Sequence, residues 1–358
     1  MTKALVQEWA RLGHQVDVVA SKFGDAPAFE EHDRVCIFRV HSFTSGDLAT
    51  LRGLVAYIFF SFFRGLRLCH RQKYDVMFSF FAIPAGLVGH ALSKIYGIRH
   101  VAEIIGADIY EPTRKLSAHR YWIIRVIVRH VMNSADAVLA PAKDIKGSAV
   151  KYFHPKANIV VVPIGLQKPT FKALSRQELG LDPSALYVIG LGVMLRRKNF
   201  PGLVKAFSLI KNSRARLILM GDGPMRPEIE SLVRELSLTQ RVTFAGKVSD
   251  ERKFQLLSVA DIFVLPSFHE GFGIVNQEAM YFGLGIVSGN VGGIIEFYKD
   301  GQNALLVDPT DASAMAASIE RLLDDGELRR RLGQQAQEDV KEQYIEIIAA
   351  KYLTFAHG

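Results

Sequence analysis

The sequence predicts an α/β protein built of two doubly wound domains. Strand-like apolar runs alternate with helical patterns along most of the chain, and the runs fall into two sets separated by a Pro-containing segment without periodicity. The 358 residues are 49% hydrophobic and 22% charged, enough apolar material for two cores and too apolar for a disordered chain.

The first set of strands is QVDVVAS (15–21), VCIFRV (35–40), DVMFSFF (75–81), RHVAEII (99–105), AVLAPA (137–142) and IVVVPIG (159–165). The second is LYVIGLG (186–192), RLILMGDG (216–223), RVTFAG (241–246), DIFVLPS (261–267) and GIVSG (285–289), with amphipathic helices such as FPGLVKAFSLI and PEIESLVRELSL between them. LQKPTFKAL (166–174) reads as the linker. The expected division is 1–168 and 169–340, with 341–358 a terminal helix packing back on the first domain. The tail 328–353 is rich in charge and reads as solvated helices. Ligands of such sheets bind at the carboxyl ends of the strands, so the expected site is a cleft between the domains.

Charge is placed unevenly. Residues 1–170 hold 22 Lys+Arg against 13 Asp+Glu, and residues 171–358 hold 22 against 23, so the basic excess lies in the first half. Basic and aromatic residues interleave in 51–73 and 114–130, both with helical spacing. Such helices either lie on an anionic membrane surface or pack into the core with solvated arginines. No zinc-finger, helix-turn-helix or RNA-binding aromatic pattern accompanies the charge, so nucleic acid is not an expected partner. GLVAYIFFSFF (53–63) is about half the ~20 residues needed to span a bilayer. Two cysteines, Cys36 and Cys69, are too few for a disulfide framework, which points to a reducing cytosol.

The chemistry concentrates in HEGFGIVNQEAM (269–280), directly after DIFVLPS. A buried strand hands over to a helix opening near Ile274 and ending at Gly283. Gly271 and Gly273 allow positive φ and let backbone amides approach a ligand closely. The positive end of the helix dipole there favours an anion such as a pyrophosphate. Glu270 lies just before this helix and Glu278 about one turn inside it. Taken alone, the pattern also fits an ordinary strand-to-helix connection with solvated carboxylates.

PSFHEGFGIVNQEAM (266–280) resembles the Glu-x7-Glu signature of glycosyltransferase family 4, the retaining nucleotide-sugar transferases of GT-B fold. In the same order, GHQVDVVAS, IGADIY, ADAVLAPAKDIK, KNFPGLVKAF, LILMGDGP, VTFAGKVSD and VGGIIEFYKDGQNALLVDPTD resemble further segments of that family, so the likeness covers nearly the whole chain. The resemblance implies that Glu278 binds the donor ribose and that Glu270, with the amides of Gly271, Phe272, Gly273 and Ile274, holds the donor sugar. It implies that Lys198 neutralises the leaving pyrophosphate, that Gly221, Asp222 and Gly223 border the nucleotide, and that Gly246, Lys247 and Val248 line the base pocket. The implied partners are a UDP- or GDP-sugar and a saccharide or lipid-linked acceptor of the cell envelope, at the cytoplasmic membrane face. No cofactor is implied. No Asp-x-Asp motif occurs, so a metal ion is not expected; cationic side chains and a helix terminus do the electrostatic work instead.

The chain also departs from the family pattern. Where members carry a second pyrophosphate-binding Arg, five residues before the lysine, this chain has Val193; Arg196 or Arg197 either replaces it or is solvated charge. Ile105 stands where many members have a His. Asp108 keeps its place, either as an acceptor ligand or as a turn aspartate. TKALVQEWARLGH (2–14) reads as the first helix, and the strand and glycine-rich loop that precede it in the family are not in the sequence. A noncatalytic nucleotide-binding relative left by loss of that strand, and a sugar-nucleotide epimerase of the same fold, stand as alternatives.

Overall fold

The computed structural model describes residues 2–42, 50–106, 108–110 and 117–357; Arg114, Lys115 and Leu116 of the basic stretch 114–130 lie outside them. The chain divides into two compact units, Met1–Gly165 with Ile345–Gly358, and Leu166–Tyr344. The crossings fall at 165/166 and 344/345 rather than at 168/169 and 340/341. Leu166 donates its N–H to the Gln343 carbonyl at 2.8 Å and bridges to Tyr344, which ties both crossing points to the second unit.

Unit 1 runs through α1 (Thr2–Arg11), β1 (Val16–Ser21), β2 (Phe29–His32), β3 (Val35–Val40), α2 (Leu51–Arg71), β4 (Val76–Phe80), α3 (Leu87–Tyr96), β5 (Arg99–Glu103), α4 (Trp122–Ser134), β6 (Ala137–Ala140), α5 (Lys143–Phe153) and β7 (Ile159–Val161). All six strands expected from the sequence form. They do not make one sheet: β1-β3-β2 and the parallel β4-β5-β6-β7 are separate, and no described strand joins β1 to β4. The two edges are linked by side chains instead. Asp17 of β1 accepts from Gln72 Nε2 at 2.7 Å and from the Tyr74 hydroxyl just before β4. All six residues of β1 are half-buried, as expected of a strand paired on one side only. β2, FEEH, was not foreseen; it is polar, antiparallel to β3 and at the sheet edge.

Helix α2 is turned with small residues inward. Its buried positions are Gly53, Ser61 and Gly65, and a Cβ on Gly65 would stand 2.3 Å from Leu92 Cδ1 of α3. That close approach turns Leu51, Val55, Phe59 and Phe63, spaced four apart, to the outside; they are 71%, 59%, 56% and 54% exposed.

Unit 2 consists of β8 (Leu186–Leu191), α6 (Phe200–Ser208), β9 (Ala215–Met220), α7 (Arg226–Glu235), β10 (Val242–Gly246), α8 (Asp250–Val259), β11 (Ile262–Leu265), α9 (Ile274–Tyr281), β12 (Gly285–Gly289), β13 (Leu305–Val307), α10 (Ala312–Asp324) and α11 (Gly326–Val340). Its six parallel strands lie in the order β10-β9-β8-β11-β12-β13. The chain winds outward from β8 to β10, then returns to place β11 on the other side of β8. This switch point between β8 and β11 is where a parallel α/β sheet opens a crevice at its carboxyl ends. β11 and β12 are buried at every position, and Val188, Leu217, Leu219, Val264 and Val287 join Leu203, Phe207, Ile319 and Leu332 in one core. β13 was not foreseen; it is three residues long and, among the described residues, pairs only with β12.

The tail departs from the solvated helices expected. Leu328, Leu332, Ala336 and Val340 of α11 are buried in unit 2. The last helix, α12 (Ile345–Leu353), buries Ile345, Ile348, Ala349 and Tyr352 in the core of unit 1. Trp9 of α1 donates its Nε1–H to the Ala349 carbonyl at 3.1 Å and packs on Phe78 of β4, with ring centroids 4.7 Å apart.

Candidate active site

The residues expected to handle the donor lie in unit 2, and most meet at the carboxyl ends of β8 and β11. After β8 the chain passes Gly192 and forms a single turn, Arg196–Lys198, closed by Asn199 in the left-handed region at φ 51°. Asn199 then caps α6: its side chain accepts from Gly202 N–H at 3.2 Å and donates to the Pro309 carbonyl at 2.7 Å. With both its neighbours fixed, Lys198 is placed rather than free, its ammonium nitrogen 3.9 Å from where a Cβ on Gly192 would stand.

After β11 the chain enters the loop carrying Glu270. Lys198 and Glu270 are 8% and 7% exposed and form an ion pair through Glu270 Oε2. Arg197 Nη1 lies 3.6 Å from the same oxygen, so of Arg196 and Arg197 it is the latter that stands beside Glu270; Val193 is half exposed. Gly292 and Gly293 hold the Glu270 backbone. The Gly293 N–H donates to the Glu270 carbonyl at 3.0 Å, and a Cβ on Gly292, at φ 55°, would lie 2.4 Å from that oxygen. Helix α9 opens at Ile274, as expected from the sequence, behind Gly273 at φ 76°. A Cβ there would meet Asn276 Nδ2 at 2.5 Å and Glu270 Cγ at 3.1 Å, so only glycine fits. The Phe272 side chain is 5% exposed and packs edge-on to Phe297 with centroids 4.6 Å apart.

The neighbouring wall is built of backbone. A Cβ on Gly221 would lie 2.0 Å from the Gly192 carbonyl, and one on Gly223 2.8 Å from the Met194 carbonyl. Gly221 N–H donates to Gly246 O at 2.8 Å, which places 246–248 beside 221–223. Lys247 is exposed and Val248 half-buried. Asp222 pairs with Arg226 Nη1 at 3.2 Å, and Arg226 also holds Glu230 at 2.8 Å.

Glu278 is 6% exposed on α9. Burial pushes its pKa up, and the ammonium of Lys253, 2.6 Å from Oε1, works against that. Oε2 is buried with no hydrogen-bond partner among the described residues, as are both polar atoms of the Asn276 side chain and the Ser267 hydroxyl. Sequence reasoning missed Lys253, Asn276, Arg226 and the Gly292–Gly293 support. Lys253 sits in DERK, a string that looks like any solvated helix start.

Asp108 belongs to unit 1. Its Oδ2 accepts from Ala82 N–H at 2.7 Å, and its Oδ1 from the N–H groups of Ile105 and Gly106 at 3.0 Å each. Burial raises its pKa and these amide bonds oppose the rise. Of the two readings offered by the sequence, these bonds fit the turn aspartate. Among the described residues no group of three or more His, Cys, Asp or Glu is placed to hold a metal ion, and no helix is long and apolar enough to cross a membrane.

Two family models match the chain: glycosyl transferases group 1 over residues 171–339 and glycosyl transferase 4-like domain over 1–165. The alpha-D-kanosaminyltransferase of Streptomyces kanamyceticus is 35% identical over 294 residues, covering 76% of this chain and 72% of that protein. The chain belongs to the group 1 glycosyltransferases. This glycosyltransferase superposes on the sucrose-phosphate synthase of Thermosynechococcus elongatus with a TM-score of 0.83 at 24% identity, over 99% of this chain and 91% of the other, which shows a GT-B fold. The Anabaena protein HepE, solved in complex with UDP-glucose, gives a TM-score of 0.73 at 19% identity over 95% of this chain and 100% of its own.

Proposed function

We propose that this glycosyltransferase moves a sugar, with retention of anomeric configuration, from a UDP- or GDP-sugar to a lipid-linked or cell-envelope saccharide at the membrane face. The observation that carries the reading is the buried Lys198–Glu270 pair at the switch point between β8 and β11, beside the opening of α9.

Breaking the bond between the anomeric carbon and the diphosphate leaves positive charge on the sugar and negative charge on the departing phosphate. Lys198 and Arg197 supply fixed positive charge for the phosphate, and the amides of Gly271, Phe272, Gly273 and Ile274 supply donors at the helix start. Glu270 keeps the Lys198 ammonium in place until the donor arrives and then faces the sugar. Glu278 receives the ribose hydroxyls on its unfilled Oε2. The turn 221–223 and residues 246–248 border the nucleotide base. In this scheme the diphosphate is balanced by side chains and backbone, with no metal ion.

The acceptor reading rests on unit 1, where the stripe Leu51, Val55, Phe59, Phe63 runs about 18 Å along α2 with Arg52, Arg64, Arg67 and Arg71 on the same helix. On α4, Trp122 is 67% exposed, with Ile123, Val126 and Arg125 near it in sequence. Exposed aromatics with arginine suit an anionic lipid surface and hence a lipid-borne acceptor. The test is a thermal-shift series with UDP, GDP and ADP and their sugars, followed by NMR of the product made from the donor that binds. A product of inverted anomeric configuration, or no binding of any nucleotide, would sink the reading.

A further inference from the structure

We propose that Lys253 is a positioning residue of the donor site, which fixes one oxygen of Glu278 so that the other receives the ribose hydroxyls. The inference rests on the ribose assignment of Glu278 made above. Its ammonium lies 2.6 Å from Glu278 Oε1 and 3.0 Å from Asp250 Oδ1, and 4.3 Å from the centre of the Phe254 ring. Phe254 in turn packs with Phe171 and Phe282, with centroids 6.1 and 6.2 Å away. Helix α8 is anchored by its Ser249 cap, which accepts from Arg252 N–H at 3.2 Å. The charge is therefore held on three sides, and the carboxylate it grips cannot rotate freely.

Leaving a buried carboxylate oxygen without a donor is costly, so a buried ion pair gains stability when both oxygens are satisfied. Here Oε1 is filled and Oε2 is not, although Oε2 is fully enclosed. Oε2 keeps an acceptor position that no described residue fills, and a ribose hydroxyl reaches it once the side chains that enclose it give way. Burial pushes the Glu278 pKa up, and the Lys253 ammonium opposes that rise by favouring the carboxylate form, which only accepts hydrogen bonds. The consequence is discrimination: a ligand with ribose hydroxyls completes the shell of Glu278, and one without them leaves it incomplete.

The test compares dissociation constants of UDP and GDP with those of their 2′,3′-dideoxy counterparts, for the wild-type chain and for Lys253→Met, Lys253→Arg and Lys253→Gln. Loss of hydroxyls bonded to an ionised carboxylate is expected to weaken wild-type binding about tenfold to a hundredfold. In Lys253→Met that ratio falls towards one while the dideoxy nucleotide binds as before. Lys253→Arg restores most of it, and Lys253→Gln, which still donates to Oε1 and tests the point should the Met variant not fold, gives an intermediate ratio. A merely structural lysine would weaken both ligands equally, and an unchanged ratio in Met and Gln variants overturns the proposal. If the wild-type ratio is already one, or neither nucleotide binds, the ribose assignment itself falls and takes the proposal with it.

Discussion

Lys198 and Glu270, 72 positions apart, form an ion pair with both side chains about 10% exposed. Removing one partner of a buried pair strands the other, at a cost of about 3–5 kcal/mol, whereas replacing both with apolar groups of similar size is close to neutral. Lys198→Met is therefore expected to destabilise unit 2 by about 3 kcal/mol, the low end of that range because Arg197 remains near Glu270. Lys198→Met/Glu270→Leu should recover most of that stability in urea titrations. Transfer should be lost in both, by about a hundredfold to a thousandfold if Lys198 stabilises the leaving diphosphate. A double variant as unstable as the single one would show that the pair does not act as a unit.

Gly273 is held at φ 76° between Glu270 and Asn276, with no room for a methyl group. Gly273→Ala should cost about 1–2 kcal/mol in backbone strain and displace Glu270, lowering the affinity for UDP or GDP. Gly147 in α5 has open space at its Cβ position, so Gly147→Ala serves as the control and should stabilise by about 0.5–1 kcal/mol. Melting temperature and nucleotide affinity, measured together on both variants, check this; equal behaviour of the two would refute it.

The loop around Gly273 was legible because its signals are local: an apolar strand, two glycines, and a helical pattern from Ile274. The missed features depend on distance or on which side of a helix faces inward. The return of α12 to unit 1 was expected, but not its partner: Ile345, Ile348, Ala349 and Tyr352 have helical spacing in plain view, whereas Trp9 lies 340 positions from Ala349. The stripe Leu51, Val55, Phe59, Phe63 has the same period whether it faces a core or solvent. The clue to its orientation was the opposite stripe of small residues, Gly53, Ser61 and Gly65, of which Gly65 packs closely on Leu92. FEEH carries no apolar alternation because β2 buries almost nothing.

Glu103, at the end of β5, is 2% exposed, and burial pushes its pKa up to about 8, with Tyr352 partly opposing the rise. A carboxyl whose folded pKa lies above its ordinary 4.5 holds its proton more tightly in the folded state. Its contribution is therefore fully present below pH 4.5 and is lost as pH rises through about 8. Glu103→Gln should remove this dependence, so that the variant gains on the wild type by roughly 1.4 kcal/mol per pH unit across that window. Urea midpoints at pH 5 to 8 read this directly; a constant difference between the two chains would rule it out.

Trp9 joins α1, α12 and β4 in unit 1: its hydrogen bond to Ala349 and its ring contacts with Phe78 and Tyr352 all lie within that unit. Trp9→Ala should destabilise unit 1 by about 3–5 kcal/mol and leave nucleotide affinity unchanged. Calorimetry should show one transition moving down while a second, raised by UDP or GDP, stays in place. Loss of nucleotide binding at a temperature where unit 1 is still folded would contradict a donor site confined to unit 2.

The apolar stripe on α2 yields the remaining prediction. Phe59 and Phe63 are each more than half exposed and pack edge-on to each other at 4.8 Å, so together they form a ridge rather than part of the core. Burying such a ridge in the lipid interface is favourable, and the four arginines of α2 add attraction for anionic headgroups that salt screens. Wild-type protein should sediment with vesicles containing phosphatidylglycerol at low salt and be partly released at about 0.5 M salt. Phe59→Ser/Phe63→Ser should reduce that binding severalfold with the melting temperature unchanged, because neither side chain supports the fold. Arg67→Gln/Arg71→Gln should lower it only at low salt. If the Phe variant binds vesicles as the wild type does, the ridge serves a partner other than lipid, and the case for a lipid-borne acceptor loses its structural footing.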